Sequence, residues 1–393
     1  MSTTAKAHGL DGTLVEPDWP ALTVAEVRPL LRRFVDCGEA KEIESVSPRP
    51  FSAASVVATT TGRVFVKRHH RAVRDREGLH EEHRFMAHLL ARGVSVPRVH
   101  ATADGETAIE SGEWTYEVHE VPEGMDIYGD ALSWTPFCTA GHARSAGVSL
   151  ARLHRAARGF SAPARKARPL VASFSIFASK DPAAAMKSYL AERPALAEES
   201  VTRADCDEAL RLLAPFHEEL MRHLPGMEPL WTHNDLHASN LLWRGDGEDA
   251  EVSAIIDFGL ADRTYAVHDL AHVIERNIVE WLDLEQGAAN EDAVRVHFDH
   301  LEALLAGYES VRRLTEQEAA ALAPMTALCH AEFALTEADY FRGVLHSDEK
   351  ARLASRDYLV GHARWFCGAG GRKLLDAIER SGQGRTRREA VKE

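Results

Sequence analysis

Residues 231–262 read Trp-Thr-His-Asn-Asp-Leu-His-Ala-Ser-Asn-Leu-Leu-Trp, a polar loop, and then Ala-Ile-Ile-Asp-Phe-Gly-Leu-Ala-Asp. Asp235 is followed five positions later by Asn240, and a hydrophobic run then ends in Asp257-Phe258-Gly259. Phosphoryl transfer asks for this set of groups. One carboxylate orients an attacking hydroxyl and takes its proton, while a carboxamide and a second carboxylate hold the divalent cation that bridges the phosphates. Asp235 fits the first role, Asn240 and Asp257 the second. Hard Mg2+ takes oxygen ligands, and Asn with Asp supplies them without overcharging the site. His233 and His237 flank Asp235 and are expected to brace the loop by hydrogen bonds. His268 and His272 stand four apart on one expected helix face, but the glutamate of the zinc-protease pattern is missing between them.

These groups need a scaffold, and the hydrophobic periodicity outlines one. Ser55–Thr59 and Arg63–Lys67, joined by Thr60-Thr61-Gly62, read as a β-hairpin. From Arg74 to Arg92 the apolar residues recur at helical spacing, and Gly93 stands where a helix would stop. Strands are expected around Arg98–Ala103 and Thr115–Val121. Past Pro122 the pattern is helical, over Ser145–Ala157, Pro182–Leu190, Cys206–Leu224, Val267–Leu284, Glu291–Glu309, Glu316–Tyr340 and Lys350–Ser381. Strands first and helices after describe an α+β protein in two lobes. The expected division is a loose N-terminus over 1–20, an N-lobe over 21–121, a helical C-lobe over 122–380 and a charged tail over 381–393.

The segment resembles the catalytic and metal loops of the aminoglycoside phosphotransferase and choline kinase superfamily, whose bilobal fold is that of the protein kinases. The similarity runs along most of residues 45–285. It implies that Lys67, in Val64-Phe65-Val66-Lys67, contacts the α- and β-phosphates of a nucleotide, and that Glu82 on the following helix pairs with it. Tyr116–Gly124 resembles the hinge between lobes, where backbone groups of His119 and Val121 would meet the adenine. Asp269-Leu270-Ala271 resembles a helix start beyond the metal loop, which makes Asp269, with His233, structural support. The sequence departs from the family where the phosphate-covering loop is usually glycine-containing: here it is Pro48-Arg49-Pro50-Phe51-Ser52-Ala53-Ala54-Ser55, and Ser52 remains as a hydroxyl and amide donor. Asn234 stands where the family commonly has Gly. The implied cofactors are Mg2+ and ATP, or GTP.

Composition narrows the partners. Of 393 residues 45% are hydrophobic and 27% charged, which sets the chain among ordinary globular proteins rather than disordered or fibrous ones. The first residues lack the basic start and apolar run of a secretory signal, and no later stretch is long and apolar enough to span a bilayer, so the expected place is the cytoplasm. Five scattered cysteines without a Cys-x-x-Cys pair suggest neither disulfides nor a zinc site. Residues 1–110 balance 15 basic against 15 acidic side chains, so the net charge of -14 falls in the remainder. Nucleic acid is thereby disfavoured, and a cationic acceptor such as an amino sugar or amino alcohol is favoured. The expected activity is transfer of a γ-phosphoryl group to a hydroxyl of a small acceptor. A kinase of peptides or proteins is the weaker alternative, because only eleven residues separate Asp257 from Asp269 and no Ala-Pro-Glu follows. A non-catalytic nucleotide-binding regulator is weaker still, since Lys67, Asp235, Asn240 and Asp257 are all present.

Overall fold

Alternating small and β-branched residues on either side of Thr60-Thr61-Gly62 fold into the expected hairpin, with the Thr59 amide donating to the Gly62 carbonyl at 2.7 Å. A computed structural model describes residues 17–282 and 294–389. After helix α1 (Val24–Leu31) come strands β1 (Ala40–Val46), β2 (Ala53–Thr59) and β3 (Arg63–His70), helix α2 (Arg76–Ala91), then β4 (Ala108–Ser111) and β5 (Trp114–Glu120). The strands form one antiparallel sheet in the order β1-β2-β3-β5-β4. Asp75 caps α2, its carboxylate accepting from the Gly78 amide at 2.8 Å, so the helix begins where the sheet hands the chain over. Val27, Leu30, Leu31, Val57, Val64, Val66 and Val118 bury together under one face of the sheet.

The rest is mainly helical: α3 (Ala140–Ala157), α4 (Pro182–Ala191), α5 (Pro194–Ala197), α6 (Ser200–Leu220), α7 (Ala266–Ile278), α8 (Phe298–Val311), α9 (Glu316–Leu328), α10 (His330–Asp339), α11 (Asp348–Arg352), α12 (Gly361–Cys367) and α13 (Ala369–Glu389). Two small hairpins interrupt it, β6 (Leu230–Thr232) with β9 (Asp262–Thr264) and β7 (Leu241–Arg244) with β8 (Glu251–Ile255). Helices α3 and α8 approach backbone to backbone, because a Cβ on Gly147 would stand 2.1 Å from the Leu304 carbonyl oxygen and one on Gly307 the same distance from that of Arg144.

Several expected elements are redrawn. Residues 98–103 do not form a strand; only Val99 and Thr102 make isolated bridges, to His119 and Phe34. The helix expected over Val267–Leu284 ends at Ile278, and the one expected over Glu316–Tyr340 divides at Cys329. The last helix does not give way to a tail at 381 but continues to Glu389. Most of the expected loose N-terminus lies outside the described residues; Asp18 and Trp19, however, are packed. Asp18 accepts from Tyr340 Oη at 3.0 Å and Lys350 Nζ at 2.9 Å, and Trp19 stacks on His70.

Candidate active site

The turn after β6 carries the first catalytic candidates, and its shape explains an oddity of the sequence. Asn234 has φ +63°, a left-handed backbone that Gly adopts freely and Asn tolerates better than most side chains. Its side chain then becomes a strut: Oδ1 accepts from Thr232 Oγ1 at 2.8 Å, and Nδ2 donates to the Leu260 carbonyl at 3.1 Å. Asp269, near the start of α7, accepts the amides of both His233 (2.8 Å) and Asn234 (2.9 Å) and pairs with His154 at 3.0 Å. His233 Nδ1 accepts the Asp235 amide at 3.2 Å while Nε2 faces the Ile256 carbonyl at 3.0 Å, which fixes it as the neutral Nε2–H tautomer. Burial lowers its pKa in the same sense, against the pull of Asp269. His233 and Asp269 thus tie the Asp235 turn to the segment after β8 that carries Asp257.

Asp235, Asn240, Asp257 and Lys67 line one cavity of about 400 Å3. Lys67 Nζ donates to Asp257 Oδ1 at 2.9 Å. Burial works against the Lys67 charge, but Asp257 and Glu117 outweigh it and hold the ammonium above the ordinary lysine pKa. Asp257 is itself buried, which disfavours its charge, yet Lys67 keeps it well below the usual carboxylate range. Asp235 goes the other way: burial, with Asp257 adding, pushes it up to about 7, although Arg276, Asn240 and Arg49 oppose the rise. Carboxylates in one cavity with affinities for protons pushed apart are a mark of division of labour.

A divalent cation fits this donor set. Asn240 Nδ2 donates to the Asp235 carbonyl at 2.8 Å and to its Oδ2 at 3.2 Å, which leaves the Asn240 Oδ1 outside any hydrogen bond among the described residues. The Oδ2 of Asp257 is likewise uncommitted, since the hydrogen bonds from Lys67 and the Gly259 amide (3.4 Å) both go to Oδ1. Two oxygens from Asn and Asp suit a hard cation that keeps waters and phosphate oxygens in its remaining positions.

One expectation changes on contact with the geometry, and two others gain detail. Glu82 is not hydrogen-bonded to Lys67: its Oε1 accepts from Arg74 Nε at 2.8 Å and from Arg165 at 2.7 Å, and both arginines donate to the Gly259 carbonyl. Glu82 therefore clamps the turn after Asp257 through two arginines that the sequence reading passed over. His119 lies inside β5 opposite Phe65, with its imidazole 2.8 Å from the Glu117 carboxylate; Val121 is the first residue past that strand. Ser52 lines the cavity, but its loop is clasped to the C-lobe: Arg49 Nη1 donates to the Ala131 carbonyl (3.1 Å) and Ser133 Oγ (3.2 Å), and Phe51 packs edge-on to Tyr340 at 5.1 Å. Two prolines and a docked aromatic serve here in place of glycine. The far wall is built by Trp134, Arg276, Phe333, Glu337 and Phe341, most of them C-terminal residues with no motif to announce them.

A family model described as the phosphotransferase enzyme family matches residues 48–314. Homoserine kinases of Rhizobium meliloti and Agrobacterium fabrum are each 29% identical to the chain, over 245 and 240 residues, or 60% of it. The chain spans about three fifths of the length of these curated relatives (60% and 61%). Among solved structures, a microcompartment-associated aminopropanol kinase superposes with a TM-score of 0.57 at 17% identity, over 91% of this chain and 99% of that one. The GDP complex of aminoglycoside 2'-phosphotransferase-IIIa gives 0.53 at 13% identity, over 87% and 98%. The fold is the two-lobed one of these kinases. Among the described residues, no helix is long and apolar enough to cross a membrane.

Proposed function

The chain belongs to the phosphotransferase enzyme family, and we propose that it is a small-molecule kinase that moves the γ-phosphoryl group of ATP, or GTP, to an alcohol hydroxyl. The observation that carries this reading is the single cavity in which Asp235, Asn240, Asp257 and Lys67 meet a wall of C-terminal helices. Lys67, held on β3, points its ammonium at the phosphates; Asn240 Oδ1 and Asp257 would hold Mg2+. When bound, Mg2+ neutralises and orients the phosphate oxygens. Asp235 accepts a hydrogen bond from the acceptor hydroxyl, aligns it with the phosphorus, and takes its proton late in transfer. His237 stands behind it, with Nε2 3.7 Å from Asp235 Oδ2. A peptide acceptor suits the site poorly, since the chain passes from Asp257 through the short β9 directly into α7, with no segment to display a peptide. Such an enzyme draws on intracellular triphosphate, consistent with a cytoplasmic setting.

A panel of amino alcohols, hydroxy acids, sugars and aminoglycosides, followed by coupled release of nucleoside diphosphate, tests the reading. One acceptor class should stimulate release by on the order of a hundredfold or more over the hydrolytic background. No stimulation by any acceptor, with nucleotide still bound, would favour a regulatory role instead.

Lys67 and Glu82 should separate in this assay. Lys67→Ala removes a charge-assisted contact to phosphate and is expected to raise the KM for the triphosphate by on the order of tenfold to a hundredfold. Glu82→Gln removes the carboxylate that Arg74 and Arg165 share and leaves Glu81, 3.3 Å from Arg165 Nε, as the acid at that end, so it should lower stability by about 3 kcal/mol, read as a fall in Tm, with KM for the triphosphate near the parent's below the transition. A KM change at Glu82 as large as at Lys67 would restore the direct pairing.

A further inference from the structure

Phosphoryl transfer as described leaves Arg276 without a task. It stands on α7, 3% exposed, with its guanidinium 4.0 Å from the centre of the Trp134 ring and 4.8 Å from that of Phe333. Its Nε and Nη1 donate no hydrogen bond; the nearest acid is Asp235, whose Oδ1 lies 3.5 Å from Nη1 and is itself without a hydrogen-bond partner. Arg49 enters the same cavity from the β1–β2 loop, and its Nη2 is also buried without a partner. Both guanidiniums line this cavity; burial disfavours the Arg49 charge and Arg276 adds to that, against the pull of Asp126, Asp235 and Asp257. A buried guanidinium is stabilised when its donors are met, and two that line one cavity with N–H groups still lacking a hydrogen bond are complementary to an anion.

Glu337, on α10, lines the same cavity, and its carboxylate forms no hydrogen bond or ion pair among the described residues. Burial pushes its carboxyl up to about 8 although Arg276 pulls it down. A cation would satisfy it. Trp134, Phe333 and Leu353 supply apolar wall beside these charges. The anion that belongs at Arg276 is not the triphosphate, whose proposed contact is Lys67 on β3, because the rings around Arg276 are Trp134 and, on α10, Phe333.

We propose that the acceptor is a short hydroxylated amino acid, its carboxylate gripped by Arg276 with Arg49 beside it, its ammonium facing Glu337 and its hydroxyl at Asp235. This rests on the small-molecule kinase reading and names the acceptor class for the same site. A planar guanidinium preset between two rings meets a carboxylate edge-on through two parallel N–H donors, so little ordering is lost on binding. An alcohol that lacks the carboxylate leaves Arg276 unmet. A site built for a polar group rejects analogues without it by far more than it rejects a missing methylene.

Homoserine, 3-amino-1-propanol and 4-hydroxybutanoate form a matched set, alike in the reacting hydroxyl and differing in the carboxylate or the ammonium. In the parent enzyme with ATP and Mg2+, kcat/KM for homoserine should exceed that for 3-amino-1-propanol by on the order of a hundredfold or more. Arg276→Gln should bring the two within about tenfold, through the KM for homoserine and with KM for ATP little changed; Arg276→Lys, which keeps the charge, should retain part of the preference. Glu337→Gln should close the gap between homoserine and 4-hydroxybutanoate. A preference for 3-amino-1-propanol, a preference for homoserine that survives in Arg276→Gln, or a loss carried by KM for ATP would each overturn the assignment. Transfer only to acceptors without a carboxylate would overturn it while the kinase reading stands, and absence of transfer to every acceptor would remove the kinase reading itself.

Discussion

Asp257→Asn is expected to lower phosphoryl transfer by on the order of a thousandfold or more, because the cation that would neutralise the phosphate charge loses its proposed carboxylate ligand. Asn is the better substitution here than Ala. Asp257 has φ +60°, a left-handed backbone that Asn tolerates and that Ala would adopt only with strain of about 1–2 kcal/mol. Removing the charge also frees Lys67, whose described partner is Asp257 Oδ1 at 2.9 Å. Two changes in nucleotide binding follow with opposite signs. With Mg2+ the affinity should fall, since a ligand atom has lost its charge. Without Mg2+ it should hold or rise, since the Lys67 ammonium no longer divides its attention between carboxylate and phosphate. Calorimetry with a non-hydrolysable triphosphate, with and without Mg2+, measures both. Equal losses in the two conditions would mean damage to the fold and would take the metal role from Asp257.

What the sequence disclosed and what it withheld divide along the range of the forces involved. Asp235, Asn240 and Asp257 were legible because their chemistry sits in one stretch of chain, where spacing alone brings the groups to one cavity. The Asn234 position was legible as an anomaly, and φ +63° with three side chains and one backbone carbonyl bonded to its carboxamide accounts for it. The partner of Glu82 was not legible. Whether a buried carboxylate meets Lys67 or Arg74 and Arg165 depends on where distant segments come to rest, and Arg165 lies in irregular chain that carries no periodicity. Strand β1 was missed because most of its residues face solvent and its pattern is irregular, with bulges at Ala40/Glu42 and Ile43/Ser45. The run over 316–340 hid its break at Cys329, because both helices are buried on nearly every side and no exposed face or turn residue marks the division.

The acceptor side was the least legible, because overall charge reports on the surface and not on the cavity. A net charge of -14 favoured a cationic acceptor by long-range steering, but screening confines that field to the surface, within about 8 Å at physiological salt. Inside the cavity the unmet donors belong to Arg276 and Arg49. Arg276 reads in sequence as one polar residue on the helix expected over Val267–Leu284, although α7 proves buried along its whole length.

Asp235→Asn is expected to fold, to bind the magnesium nucleotide as the parent does, and to lose transfer by on the order of two to four powers of ten, the usual size for loss of a general base. In a loose transition state the nucleophile is little deprotonated, so the carboxylate chiefly aligns the hydroxyl and takes the proton late. Asn keeps the shape and one acceptor oxygen but not the basicity. Because burial raises the Asp235 pKa to about 7, the ionised base is fully present only above that value. The parent's kcat/KM for the acceptor should therefore fall about tenfold per pH unit below 7, and this limb should vanish in Asp235→Asn. The same shift bears on stability. A carboxyl whose folded pKa lies above its unfolded value favours the fold below the unfolded value, and that advantage is lost as pH rises through about 7. Asp235→Asn should consequently match the parent's Tm near pH 5 more closely than near pH 8, where the variant should be the more stable. Transfer retained above about a tenth of the parent rate would remove Asp235 from the role of base. His233 could not replace it, since its Nδ1 and Nε2 are both committed to backbone. His237, with Nε2 3.7 Å from the Asp235 carboxylate, would be the group to replace next.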